Sequence, residues 1–124
     1  MTIRSALEKF AGQHPDHVAQ IFCRGQGWVR RTYGEFLSDV RATAEAYGAK
    51  FDLKPRVENV AQILPNSPEW MDIYLACSGA GVSVVPLDPK LHNDEVAYIL
   101  KDSGAARKMH TAVYTQICTW FPGI

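Results

Sequence analysis

Residues 60–86 read VAQILPNSPEWMDIYLACSGAGVSVVP, and the architecture of the chain follows from how this stretch divides. Val60 to Leu64 is a short, largely apolar run that Pro65 ends. Ser67 stands where a helix cap belongs, and Pro68 takes the first helical position, where a missing N–H costs little. Trp70, Ile73, Tyr74 and Cys77 then recur on one helical face, and Gly79 and Gly81 close the helix. Val82 to Pro86 is a second apolar run. Strand, helix and strand in so short a span make a βαβ unit, with parallel strands and a right-handed crossover. Parallel strands are covered on both faces, which is why both runs are largely apolar, broken only by Gln62 and Ser83.

Downstream, Leu87 to Leu91 reads as a loop. Asn93 to Ser103 reads as a helix with Val96, Ile99 and Leu100 inward and Gly104 after its end. Arg107 to Thr111 is expected to be a third parallel strand and Val113 to Phe121 a further short helix. Upstream, Thr32 and Glu35 have capping-box spacing. Tyr33, Phe36, Leu37, Val40, Ala44 and Tyr47 follow at helical spacing, and Gly48 is expected to help end that helix. Val18–Cys23 and Trp28–Thr32 flank the turn Arg24-Gly-Gln-Gly27 and predict a β-hairpin. Ser5 and Glu8 suggest a first short helix, broken by His14-Pro15-Asp16. The fold class is therefore α/β: an N-terminal hairpin and helices, followed by βαβ units forming a small parallel sheet.

With 124 residues the chain is expected to be one domain. Thirteen basic and thirteen acidic residues cancel, so no broad field attracts a polyanion, and nucleic acid is not expected as a partner. Arg30-Arg31 is too short a basic cluster to change that and is expected to be a solvated hairpin end. The N-terminal stretch Met1–Phe10 carries Arg4, Glu8 and Lys9, unlike a signal peptide, and no apolar run spans a bilayer. Together with three widely spaced cysteines, Cys23, Cys77 and Cys118, expected to be buried or half-buried free thiols, this suggests a cytoplasmic protein without an integral membrane segment.

Chemistry is scarce in the residues. No Walker loop is present, and Gly79-Ala-Gly81 follows a helix, where a phosphate would meet the negative end of the dipole. His14, His17, His92 and His110 have no Glu or Cys at metal spacing and read as four unrelated surface or loop side chains. Ser67, Ser78, Ser83 and Ser103 lack a nucleophile elbow, and Cys77 falls on a buried stripe where a thiol is inert. Asp88 is the residue to watch, because it follows a parallel strand at its carboxyl end, although Asp-Pro there more often starts a turn. No catalytic, cofactor-binding or metal residue is assigned.

Several segments are more specific than their physics. Thr32-Tyr-Gly-Glu-Phe36 resembles the first core motif of adenylate-forming enzymes, T-Y-x-E-L at a helix start. Ser78-Gly-Ala-Gly-Val-Ser-Val-Val-Pro-Leu-Asp88 resembles their second, K-A-G-A-x-x-V-P-L-x-P. Between them Ile63–Trp70 is similar to L-x-N-S-x-E-[FW], and Leu91–Gly104 resembles L-T-x-E-E-L-x-Y-I-L-x-D-S-G-A. They come in the family's order and run from about Leu7 to Gly104. Lys54–Asn59 departs from a G-D pair common in relatives, and His92 replaces the usual Thr at a helix cap.

The resemblance implies an N-terminal piece, residues 1–124, of an AMP-dependent synthetase/ligase of the acyl-CoA synthetase type. Such enzymes join a carboxylate to ATP with Mg²⁺, then pass the acyl group to a thiol such as coenzyme A. The phosphate loop and catalytic lysine of the family find no matching position here. The resemblance thus implies a chain inactive alone, with no cofactor of its own and a link to fatty acid metabolism through its relatives. The competing reading is a non-catalytic interaction module, partnered by the remainder of a split ligase or by self-association through exposed sheet. A gene remnant and a small flavodoxin-like ligand-binding domain are the weaker alternatives.

Overall fold

The computed structural model of the chain describes residues 1–51, 59–105 and 107–110. In order they form α1 (Ile3–Gln13), β1 (Val18–Arg24), β2 (Gly27–Thr32), α2 (Tyr33–Phe51), β3 (Asn59–Ile63), α3 (Pro68–Gly79), β4 (Ser83–Leu87), α4 (Asn93–Ser103) and β5 (Arg107–His110). β1 and β2 pair antiparallel as a separate two-stranded sheet, and β4-β3-β5 is a three-stranded sheet. β3 is parallel to both of its neighbours, in register from Asn59↔Ser83 to Ile63↔Leu87 and from Val60↔Arg107 to Ile63↔His110. The α/β architecture read from the sequence is the one observed. The expected helix Val113–Phe121, Thr111 and the departure at residues 54–58 lie outside the described residues.

Among the described residues two apolar clusters hold the fold, and α3 belongs to both. On one side Ile73 and Cys77 meet Val60 and Leu64 of the β3 segment, Val82, and Ala46 and Tyr47 of α2. On the other, Leu75 meets Leu7 and Ala11 of α1 and Phe36, Leu37 and Val40 of α2. A helix apolar on two sides has to be sandwiched, and α3 lies between the sheet and the helices α1 and α2. Full burial of a side chain such as Ile73 contributes about 1.5–3 kcal/mol.

The helix ends explain where each element starts. Thr32 Oγ1 accepts from Glu35 N at 3.2 Å, and Glu35 returns its carboxylate to Thr32 N at 3.0 Å. Tyr33 N and Gly34 N donate to the His17 and Pro15 carbonyls, so the α1–β1 link is fastened to the start of α2. A side chain at Gly34 would crowd Pro15. The first helix starts earlier than its sequence suggests: Thr2, not Ser5, is the cap, and Ser5 is its reciprocal partner at 2.8 and 3.0 Å. Gly48 does not end α2, which continues to Phe51; one glycine costs a long helix only about 1 kcal/mol. Gly25, at φ +64°, makes the hairpin turn. A Cβ on Gly79 would lie 2.7 Å from Arg4 Nη1, so a side chain there would push the flexible Arg4 side chain aside.

Candidate functional site

β3 and β4 end side by side, and the segments leaving their carboxyl ends enclose a cleft of about 530 Å³. Its walls are Leu64, Pro65 and Asn66 after β3, Trp70 of α3, and Pro86 to Lys90 around the end of β4. This is where open α/β sheets place ligands. Trp70 is held in place by stacking on Tyr74, with ring centroids 5.3 Å apart and planes within 8°. Its carbonyl accepts from Nε2 of Gln62, a fully buried side chain whose Oε1 has no hydrogen-bond partner.

Asp88 does reach the cleft, but its carboxylate is engaged locally. Oδ1 accepts from Lys90 N at 2.9 Å, and the Asp88 carbonyl accepts from Leu91 N at 3.1 Å. That is the bonding of an aspartate starting a turn. No nucleophile and base face one another across the cleft, and no three metal-ligating side chains converge among the described residues.

Of the helix N-termini, the other ready anion sites in such folds, those of α1, α2 and α3 are capped by the chain's own side chains, and that of α4 carries two carboxylates in its first turn. At α3, Pro68 has no N–H, Trp70 N is taken by Ser67 Oγ at 3.3 Å, and the Glu69 carboxylate occupies the first turn. Burial alone would raise the Glu69 carboxyl, but hydrogen bonds from Arg24, from its own backbone and from Ser67, with the Arg24 charge, hold it below its ordinary value. At α4, Glu95 accepts from His92 N at 2.9 Å, beside Asp94. His92 thus serves as the cap residue in place of the family's usual Thr. α1 and α2 carry the reciprocal caps already described. No chemical step through ATP is derived from the residues described.

A dense charged site among the described residues lies elsewhere. Arg31, far from being a solvated hairpin end, is 6% exposed. Strand alternation turns Arg31 inward and leaves Arg30 in solvent. Its Nη1 lies 2.9 Å from Asp39 Oδ2, 2.9 Å from Asp72 Oδ1 and 3.0 Å from Asp72 Oδ2. Nε donates to Gln20 Oε1 at 2.7 Å, Nη2 shares that oxygen and reaches the Pro68 carbonyl, and the guanidinium lies 4.5 Å from the Phe36 ring centre. Burial, opposed by the hydrogen bond and charge of Arg31, pushes the Asp72 carboxyl up to about 6, and the Asp39 and Glu69 charges push the same way. Asp72 went unread in the sequence, although a lone carboxylate inside Met71-Asp-Ile-Tyr-Leu-Ala-Cys77 is the signal of a buried partner.

Two further expectations change. His14 and His17 are not unrelated: their rings stack at 4.7 Å, and Phe10 packs against His14 and Tyr33. Cys23 is exposed, whereas Cys77 is buried as expected, and burial pushes its thiol up to about 11.

The sequence matches the AMP-binding enzyme family over residues 7–117. The chain belongs to this family of adenylate-forming enzymes. It is 33% identical over 100 residues to N-(5-amino-5-carboxypentanoyl)-L-cysteinyl-D-valine synthase of Amycolatopsis lactamdurans, covering 80% of this chain and 3% of that protein. It is 30% identical to the mitochondrial medium-chain acyl-CoA ligase of Danio rerio, over 81% of this chain and 16% of the ligase. Among solved structures, O-succinylbenzoate coenzyme A synthetase from Bacillus subtilis aligns with a TM-score of 0.75 at 26% identity, covering 84% of this chain and 27% of that one. The N-terminal subdomain of Klebsiella oxytoca NpsA shares the fold, with a TM-score of 0.80 over 94% of this chain and 33% of that one. The chain thus spans a small share of the length of the relatives it matches. No helix among the described residues is long and apolar enough to cross a membrane.

Proposed function

We propose that residues 1–124 serve as the structural N-terminal part of an AMP-dependent acyl-CoA synthetase, and that the chain is inactive alone. In this reading the whole enzyme activates a carboxylate with ATP and Mg²⁺ and transfers the acyl group to coenzyme A. The observation that carries it is the coincidence of family segments with scaffold elements. Thr32–Phe36 is the capped start of α2, and Ser78–Asp88 is the end of α3 with β4. The acyl-CoA ligase and the feruloyl-CoA synthases among the relatives support coenzyme A as acceptor. The side-chain caps at the N-termini of α1, α2 and α3 support the absence of nucleotide chemistry in this chain. The apolar Ile21 and Trp28, 55% and 77% exposed, favour a second reading, an interaction module for a complementing polypeptide.

The test measures carboxylate-dependent pyrophosphate release from ATP and Mg²⁺ across medium-chain and aromatic acids. The purified chain alone is expected to give none. Joined to a polypeptide carrying the phosphate loop and catalytic lysine of a related ligase, it is expected to restore release, and coenzyme A to collect the acyl group. Turnover by the chain alone would overturn the reading. Complementation without covalent joining would favour the second.

A further inference from the structure

The β1–β2 hairpin is attached to the rest of the chain by unusual means. Of its strand residues only Arg31 is buried, and of its apolar side chains only Ala19 joins a core cluster. What holds it is charge. Arg31 of β2 reaches Asp39 of α2 and Asp72 of α3, while Arg24 of β1 pairs with Glu69 of α3. Gln20 of β1 braces the Arg31 guanidinium from its own side. A pocket of about 180 Å³ runs along this seam, lined by the same charged groups with Phe22, Val29 and Pro68.

The seam is short of positive charge. Arg24 and Arg31 face Asp39, Glu69 and Asp72. The single Nη1 of Arg31, with two hydrogens, stands within 3.0 Å of three carboxylate oxygens. A buried carboxylate lacking a full counter-charge relieves the deficit by taking up a proton. If the hairpin leaves, Asp72 meets water and the reason to hold that proton goes.

We propose that the β1–β2 hairpin is a charge-anchored arm that docks on α2 and α3 with uptake of one proton at Asp72, so that it is held more firmly at mildly acidic than at neutral pH. The sign follows from linkage: the docked state binds the proton more tightly, so docking weakens as pH rises. With Asp72 near 6 when docked and near its ordinary 3.8 when free, the change falls between those values. Glu69, held below its ordinary value by Arg24, acts in the opposite sense only at lower pH. This inference is independent of the ligase reading.

Amide hydrogen exchange on the 124-residue chain, corrected for intrinsic rates, tests it. From pH 5 to pH 7.5 the arm's opening equilibrium is expected to rise about tenfold at residues 18–32, with a smaller change at the β3 amides. Asp72→Asn keeps a partner for Arg31 and is expected to abolish that difference. Arg31→Met is expected to open the arm at every pH. Equal pH dependence in arm and sheet, or a tenfold rise that persists in Asp72→Asn, would overturn the proposal. If Arg31→Met does not fold, the Asp72→Asn comparison alone decides.

Discussion

Two of the neighbours of helix α3 are fastened to it in opposite ways. Toward the sheet it offers Ile73 and Cys77, which meet Val60, Leu64 and Val82. Toward the hairpin it offers Asp72, Glu69 and the Pro68 carbonyl to two arginines. Apolar contact is non-directional and tolerates repacking, whereas a buried charge contact depends on every partner being in place. The sheet side should therefore degrade gradually with substitution and the hairpin side abruptly.

The largest effect is expected from Arg31→Ala, which strands Asp72 and Asp39 together. Loss of about 3–5 kcal/mol in chemical denaturation is expected. Replacing both buried partners, Arg31→Met with Asp72→Leu, should recover part of that loss, because no buried charge is left unpaired and only the partly exposed Asp39 loses its counter-charge. Failure of the double variant to recover would mean that the geometry, not the charge, anchors the arm. Ile73→Ala on the sheet side should cost about 2–5 kcal/mol, and Ile73→Val only about 0.5–1.5 kcal/mol, in the same measurement. Ser67→Ala removes the cap of α3 and should lower stability by about 1 kcal/mol. Asp88→Ala should change stability by less than about 1 kcal/mol, since only an exposed turn bond at Lys90 N is lost.

The gradual side was the legible one. Apolar runs at Val60–Leu64 and Val82–Pro86, with a capped helix between, are periodic signals that one sequence carries in full. The observed strand bounds differ from them by a single residue at each end. The hairpin was legible as a hairpin for the same reason, through Gly25 and Gly27. Its attachment was not. Arg31 and Asp72 are separated by 41 residues, and neither has a local pattern that names the other. The same holds for Gln62, whose partner is a backbone carbonyl on another element. In the candidate cleft, Asp88 was located correctly at a strand end, but only the Lys90 amide shows that its carboxylate shapes a turn.

Pro86 carries one more consequence. It stands inside β4, which among the described residues forms an edge of the parallel sheet. A proline removes one donor from that strand, so a foreign strand aligned along it cannot bond without a gap. In concentrated solution the molecule is thereby guarded, on this margin, against the edge-to-edge stacking that seeds fibres and turbid precipitates.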